Sequence, residues 1–459
     1  MDKRAERVKI PRRILNTLLT SLGAGVVPRA GAPYIAIGRQ AEVRALTSAL
    51  DAAAEGGASV KFLIGRYGSG KSFLTQLLRG YALERDFLTV DADLSPERRL
   101  CGTNHTGLAT YRELMRNLSS KTTPDGNALP QVLSRYLDKL RTELALEGIL
   151  PDNPSYTLKL KQKLYDTFTA LEGGVGGFDF ATVLGAYFEA SLDDTPEGEE
   201  RKSACLRYLR GEYSSKTEAR HATGLSLSTI IDDNNWYDTL KLFALLAVRL
   251  GYRGLAVFID ECVNLYKIPH RIAREANYEK ILSIFNDALQ GRASHLAVLF
   301  CGTPQFLEDT RRGLFGYEAL RSRLADTRFD GAGYVNYSSP VIRLRRLSDN
   351  ELMALLVRLN DLHAEQAGTS PRLTQVEMER FLAVMMARAG ADEMMTPREL
   401  VREFLGLLNI LRDNEGASFD ALLAPPEQTA SAGEAGDDIS HMTPSGAPKS
   451  HITLSDIEL

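Results

Sequence analysis

One short segment, residues 60–72, constrains the fold of this chain more than any other part of the sequence. It reads Val-Lys-Phe-Leu-Ile-Gly-Arg-Tyr-Gly-Ser-Gly-Lys-Ser. A strand-like apolar run thus leads directly into the pattern G-x-x-x-x-G-K-S, and a helical pattern follows over 72–83. Glycines allow successive backbone N–H groups to converge on a phosphate group without a side chain in the way. The segment therefore predicts a strand, a phosphate-binding loop and a helix whose positive end faces the anion.

Each residue type in this loop has a task in nucleotide binding. Lys71 would place a positive charge between the β- and γ-phosphates, and the Ser72 hydroxyl would be a ligand for Mg²⁺. The predicted nucleotide-binding residues of the loop are Gly65, Arg66, Tyr67, Gly68, Ser69, Gly70, Lys71, Ser72 and Phe73.

A second apolar run supplies the carboxylates that hydrolysis of a nucleotide requires. Residues 255–259 read Leu-Ala-Val-Phe-Ile and are followed by Asp260 and Glu261. Ligands of open α/β sheets lie at the carboxyl ends of the strands. We expect Asp260 to hold Mg²⁺ with Ser72, and Glu261 to orient or deprotonate the attacking water. Two alternatives stay open: an acidic pair that only closes a core strand, and Asp91, which follows another predicted strand without an adjacent glutamate.

Apolar runs and helical patterns alternate along the chain, which is typical of an α/β fold with a parallel sheet and helices on both faces. Strands are predicted at 60–64, 87–90, 255–259 and 296–301, and helices over 72–83, 237–250 and 278–289. Three further helices, over 348–366, 374–388 and 397–412, start at capping residues and predict a C-terminal helical lid. The expected units are an N-terminal extension (1–34), an α/β nucleotide-binding domain (35–94 and 235–346), a helical insertion (95–234), the lid (347–415) and an acidic, largely disordered tail (416–459).

Composition excludes several classes of protein. The 459 residues are 44% hydrophobic and 25% charged, with a net charge of −4, which excludes a disordered chain and a condenser of nucleic acid. Residues 416–459 alone carry a net charge of −6. No apolar run reaches the length of a membrane helix, and the four cysteines are widely spaced. We expect a soluble, cytoplasmic protein without membrane association.

With these residues in place, residues 35–412 resemble a P-loop ATPase of the AAA+ superfamily, nearest to its initiator and loader-like branch. The long separation of Lys71 from Asp260, and the Cys-Gly-Thr-Pro run at 301–304, resemble the ATP-binding proteins of BREX-type phage-defence islands. The resemblance implies ATP and Mg²⁺ as cofactors and an ATPase that remodels or loads DNA in bacterial anti-phage defence. The alternative is an ATP-dependent switch or scaffold that assembles partner proteins with slow turnover.

The resemblance also implies roles for residues outside the two main motifs. Gly38 and Arg39 match the segment that packs against adenine, and Thr303 matches the polar sensor residue near the γ-phosphate. Arg398, which follows Thr396-Pro397, matches the arginine that starts the lid helix. For each, an ordinary surface or strand-end position is the alternative.

Either Arg321 or Arg323 matches an arginine finger, the two being indistinguishable by sequence. A finger that acts on the neighbouring subunit's γ-phosphate would require a homo-oligomer. The alternative is a solvated helix face.

Evidence for nucleic-acid binding is divided. Residues 218–230 are similar to a helix-turn-helix around Gly224, and Arg343, Arg345 and Arg346 could contact phosphates of double-stranded DNA. For residues 218–230 the alternative is a structural helical corner. For the three arginines it is a strand with one solvent-exposed face. A helicase or other defence-system proteins are further candidate partners. The histidines show no metal-ligand spacing.

Overall fold

The computed structural model describes residues 10–423, apart from 170, 172, 174–175, 327–335 and 388–395. The predicted tail therefore lies outside the described residues from 424 onwards. The predicted end of the second lid helix at 388 also lies outside them.

Five parallel strands form the central sheet, in the order β2-β3-β4-β1-β5. The strands are β1 (Ala58–Ile64), β2 (Leu88–Asp93), β3 (Leu255–Asp260), β4 (Leu296–Gly302) and β5 (Val341–Arg343). The four strands predicted from the sequence are confirmed to within a few residues. A fifth, short strand, β5, ends at Arg343, where the sequence left a strand and a DNA contact as alternative interpretations. The predicted α/β fold with a parallel sheet is confirmed.

Helices cover both faces of this sheet and form the insertion and the lid. In chain order they are α1 (Arg12–Gly23), α2 (Gln40–Ala54), α3 (Lys71–Glu84), α4 (Thr106–Arg116), α5 (Leu129–Leu146), α6 (Tyr156–Thr169), α7 (Gly177–Ala190), α8 (Pro196–Leu209), α9 (Lys216–Thr223), α10 (Trp236–Arg249), α11 (Val263–Tyr266), α12 (Arg271–Leu289), α13 (Pro304–Glu308), α14 (Glu318–Leu324), α15 (Asp349–Ala367), α16 (Gln375–Ala387), α17 (Pro397–Asp413) and α18 (Phe419–Leu423).

Alternate residues of each strand enter different cores, because successive side chains point to opposite faces of a sheet. On β3, Leu255, Val257 and Ile259 pack into a core shared with α10, α12 and the insertion. Phe258 instead packs with residues of α2 and α3. By the same alternation Asp260 lies on the face that carries α3, the helix that follows the phosphate-binding loop.

The predicted insertion packs against the central sheet. Helices α4–α9 share the core of the sheet face that holds Leu255, and the buried Trp236 indole donates a hydrogen bond of 3.1 Å to the Leu100 carbonyl. A second link comes from α3: the buried Arg79 guanidinium donates to the Asp91 carboxylate (3.1 Å) and to the Ser119 hydroxyl (2.7 Å). The helix after the phosphate-binding loop is thus attached to the first loop of the insertion.

The predicted lid corresponds to α15, α16 and α17, and all three helices begin with reciprocal capping boxes. These are Ser348 with Glu351, Thr374 with Glu377 and Thr396 with Glu399, at the three capping residues that the sequence predicted. Helix α1, in the predicted N-terminal extension, packs in the same hydrophobic core as α15 and α17. The lid core is therefore built from both ends of the described chain.

Candidate nucleotide-binding site

The predicted phosphate-binding loop connects β1 to α3. Its Gly68 (φ +74°) and Gly70 (φ +94°) adopt the left-handed conformation that favours glycine. The Lys71 ammonium donates hydrogen bonds of 2.9 Å to the carbonyls of Gly65 and Arg66, and burial lowers its pKa while the Asp260 carboxylate raises it. The loop therefore brings a lysine charge and backbone amides to the start of one helix.

A buried polar atom in this loop supports phosphate binding. The Ser69 hydroxyl oxygen is inaccessible to solvent and has no hydrogen-bond partner within the described residues, and Ser69 lines the pocket. Unpartnered buried polar atoms are rare because each costs desolvation free energy. A phosphate oxygen would satisfy it.

Ser72 and Asp260 meet at the start of α3. The Ser72 hydroxyl donates a 3.1 Å hydrogen bond to the Asp260 carboxylate, although 188 positions separate them in the chain. A hydroxyl and a carboxylate are ligands that suit Mg²⁺, which takes one or two protein ligands together with phosphates and water. The described residues contain no group of three or more His, Cys, Asp or Glu side chains arranged to hold a metal ion.

Glu261 leaves the strand in an unusual direction. Its φ of +55° is left-handed, its N–H donates to the Asp260 carboxylate at 2.7 Å, and its exposed side chain lines the pocket. A positive φ strains a non-glycine residue, and such strain is common at functional sites. The turn therefore brings Glu261 from the sheet edge to the pocket wall.

The sequence left Asp91 as an alternative to Asp260. In the structure Asp91 forms a 3.1 Å ion pair with Arg79, two turns along α3 from Ser72. Its carboxylate is thereby engaged away from the phosphate-binding loop. This contact favours Asp260 as the partner of Ser72.

An apolar compartment extends the pocket from the phosphate-binding loop towards the lid. Its apolar wall comes from the segment after α1, the segment before α2, the start of α3 and the lid: Val26, Val27, Pro28, Ile35, Ile37, Phe73, Leu355 and Val401. The flat, largely apolar base of a nucleotide would fit against such a wall. The segment at 25–28 was not predicted, because nothing in its sequence marks it as a ligand contact.

Arg398 lies where the lid meets this pocket. It is exposed, lines the pocket, and its guanidinium lies 5.8 Å from the ring centre of Tyr67, in the range of a cation–π contact. It also lowers the pKa of Lys71, although burial contributes more. Its positive charge is thus close enough to Lys71 to act on the phosphate groups of a bound nucleotide.

Arg39 and Gly38 lie against the protein backbone beside the loop. The Arg39 guanidinium, 5% exposed, donates to the carbonyls of Ser69 (3.1 Å) and Arg345 (2.9 Å) and forms an ion pair with Glu42. Gly38 (φ +72°) has no room for a side chain, since a Cβ would overlap Glu351. Although Arg39 lines the pocket, its hydrogen bonds hold the loop and the start of the lid together.

The predicted sensor, Thr303, and the two candidate fingers, Arg321 and Arg323, do not line the pocket. Thr303 caps α13, where its hydroxyl accepts a hydrogen bond from the Phe306 N–H. Arg321 and Arg323 are exposed on α14, and Arg323 donates to the carbonyl of Ala319. None of the three lines the nucleotide pocket of its own chain.

The candidate DNA-binding segments have other structural roles. The helix-turn-helix interpretation is wrong, because residues 225–235 after Gly224 contain no helix. Instead, the buried Asp179 carboxylate accepts hydrogen bonds from the N–H groups of Ser228 and Thr229 and anchors this segment. Arg343 forms ion pairs with Glu308 and Asp326, and Arg345 forms one with Glu351.

Asp93, at the end of β2, is a further carboxylate near the site to which the sequence gave no role. Loss of hydration and the neighbouring carboxylates, Asp260 first among them, raise its pKa to about 6. Its position three residues after the predicted strand at 87–90, like that of Asp260 after the strand at 255–259, is the signal that could have identified it.

Comparison with known proteins agrees with this geometry. Among proteins with curated descriptions, none matches the sequence. None of the helices in the described part of the chain is both long and apolar enough to span a bilayer. The family model of the BREX system ATP-binding proteins BrxC/D matches residues 10–426, which include the phosphate-binding loop, the insertion and the lid. The chain therefore belongs to the BrxC/D family of ATP-binding proteins of the BREX phage-defence system.

Proposed function

We propose that this ATP-binding protein also hydrolyses ATP, with Mg²⁺ as its cofactor. The observation that carries the proposal is the 3.1 Å hydrogen bond between Ser72 and Asp260 at the start of the phosphate-binding helix, with Glu261 next in the chain on the pocket wall. A protein that only binds nucleotide has no need of a second carboxylate beside the first. The combination is therefore the one expected of an ATPase.

Each residue has a defined task in this proposal. Lys71 and the backbone N–H groups of the loop bind the β- and γ-phosphates, and Ser72 and Asp260 would hold Mg²⁺, which neutralises phosphate charge when bound. Glu261 orients the attacking water and accepts its proton. Arg398, at the edge of the lid, adds positive charge near the γ-phosphate.

We also propose that hydrolysis occurs in a homo-oligomer. Arg321 and Arg323 are exposed on α14 and lie outside the pocket of their own chain, which is what a finger acting on a neighbouring subunit requires. Thr303 is proposed as a sensor that follows β4, the strand between β1 and β3. The finger role rests on the AAA+ resemblance and on the exposure of Arg321 and Arg323, and the sensor role of Thr303 rests on the resemblance.

For the cellular task, remodelling or loading of double-stranded DNA is the first candidate, acting with a helicase or other defence proteins. A second candidate is a switch that uses ATP to assemble partner proteins with slow turnover. Two observations favour this second candidate: segment 225–235 contains no recognition helix, and Arg343 and Arg345 are engaged in ion pairs.

Steady-state ATP hydrolysis, measured against protein concentration with and without double-stranded DNA, tests these proposals. A rate per subunit that rises with concentration supports intersubunit sites, and a further rise with DNA supports action on DNA. A rate indifferent to DNA favours the switch. Lys71→Ala is the control for contaminating activity, and Glu261→Gln should bind ATP but lose most hydrolysis. Wild-type turnover by Glu261→Gln would refute its role.

Subunit mixing tests the fingers. An Arg321→Ala or Arg323→Ala subunit should inhibit wild-type subunits more than in proportion to its share, because it would disable the site of its neighbour. Arg311→Ala, at another exposed arginine of the same region, is a matched control. Strict additivity of the rates would exclude a finger that acts between subunits.

A further inference from the structure

Asp93 and Asp260 end neighbouring parallel strands at the same level. β2 and β3 pair in register from Leu88 with Leu255 to Asp93 with Asp260. Neighbouring strands lie about 4.8 Å apart, and in-register residues of parallel strands point to the same face. The two carboxylates are therefore adjacent on one edge of the sheet.

The face on which Asp93 lies is that of the phosphate-binding helix. Leu88, Val90 and Ala92 enter the core on the insertion side, so the intervening Asp91 and Asp93 lie on the side of α3. The ion pair between Asp91 and Arg79 of α3 agrees with this assignment. Asp93 lies two residues further along β2, at the carboxyl end of the strand. Ser72, in the first turn of α3, lies at the same edge of the sheet.

The Asp93 side chain is exposed, and no group of the described residues donates a hydrogen bond to its carboxylate, which is open to water. The nearby Arg98 guanidinium donates instead to the main-chain carbonyl of Asp93 at 3.0 Å. Asp260, by contrast, accepts hydrogen bonds from Ser72 and from the N–H of Glu261. One carboxylate is fixed by protein donors, and its neighbour is left to accept hydrogen bonds from something else.

We propose that Asp93 is a second positioning carboxylate of the Mg²⁺ site, which accepts hydrogen bonds from water molecules in the hydration shell of nucleotide-bound Mg²⁺. Mg²⁺ is reluctant to lose water and keeps several molecules in protein sites. Carboxylates that bind such outer ligands fix the position of the metal. The inference rests on the proposed Mg²⁺-dependent ATPase function and adds a residue that neither of the two main motifs contains.

Equilibrium binding of a fluorescent ATP analogue to the full chain, over a series of Mg²⁺ concentrations, tests the proposal. Asp93→Asn keeps the shape and removes the charge, and Glu97→Gln is the matched control, since Glu97 is exposed and bonded to Ser95 nearby. We expect Asp93→Asn to raise the Mg²⁺ concentration at half-saturation about 10- to 100-fold, the usual effect of losing an outer-shell partner of a metal. Affinity for the analogue in EDTA should not fall. Asp93→Glu should restore much of the Mg²⁺ dependence.

Two outcomes would overturn the proposal. One is an unchanged Mg²⁺ requirement in Asp93→Asn. The other is an equal loss of affinity with Mg²⁺ and with EDTA, which would show that Asp93 acts on the fold of the loop. Failure of the proposed ATPase function is distinguishable, because the wild-type protein would then show no Mg²⁺-dependent hydrolysis, whatever the Mg²⁺ dependence of its binding.

Discussion

Replacement of Arg39 by methionine tests how the phosphate-binding loop is joined to the lid. The change keeps an unbranched, flexible side chain but removes a guanidinium that is 5% exposed and pairs with Glu42, itself 2% exposed. Breaking a buried ion pair by removing one partner costs about 3–5 kcal/mol, because the remaining charge is left uncompensated. The carbonyls of Ser69 and Arg345 also lose a donor. We expect the free energy of unfolding to fall by about that amount, and ATP affinity to fall with it.

Urea-induced unfolding followed by circular dichroism measures the loss, and a second substitution tests its cause. Adding Glu42→Gln to Arg39→Met should recover about 1–3 kcal/mol, because the unpaired charge is then gone. Arg44→Met on the same helix, where the arginine is exposed, is the control. If Arg39→Met destabilises no more than Arg44→Met, or if Glu42→Gln gives no recovery, the assigned role of the guanidinium is wrong.

Two further predictions concern the loop and the lid. Gly68→Ala should weaken ATP binding about tenfold or more, since a left-handed backbone costs alanine about 1–2 kcal/mol and its Cβ would overlap the side chain of Thr396. Gly80→Ala, in open space on the helix that follows the loop, should leave binding unchanged and stabilise the protein by about 0.5–1 kcal/mol. Burial lowers the pKa of His363, so the unfolded chain binds a proton more readily than the folded one. The stability of the fold should therefore decline as the pH falls below about 6.5. Thermal unfolding at pH 5.5 and 7.5 should show a smaller decline for His363→Asn than for the wild-type protein. An equal decline in the two proteins would contradict the assignment.

The sheet and the loop were predictable because their information is local. The apolar runs that end at Ile64 and Asp260 define buried strands, and a glycine-rich turn followed by Lys71 can be recognised without any distant contact. The Ser72–Asp260 contact followed from topology, since carboxyl ends of parallel strands meet at one edge. The capping residues of the lid were equally legible, because a capping box spans only four residues.

Features that depend on distant packing were not predictable. Nothing in residues 12–23 indicates that α1 shares a core with the lid, since any amphipathic helix would show the same pattern. The segment around Gly224 has the composition of a helix-turn-helix, but the Asp179 carboxylate binds the N–H groups of Thr229 and Ser228. That contact, across about 50 positions, holds the backbone in a non-helical path where the local pattern resembled a second helix.

The shared core of α1 and the lid has a consequence for how the protein is made. Helix α1 finds its partners, α15 and α17, only after more than 300 further residues have been added. At about 5–20 residues per second that interval is on the order of 15–80 s. Throughout it the apolar face of α1 lacks these partners, and the pocket lacks the wall that Leu355 and Val401 supply. The complete pocket therefore forms only after α17 has been made.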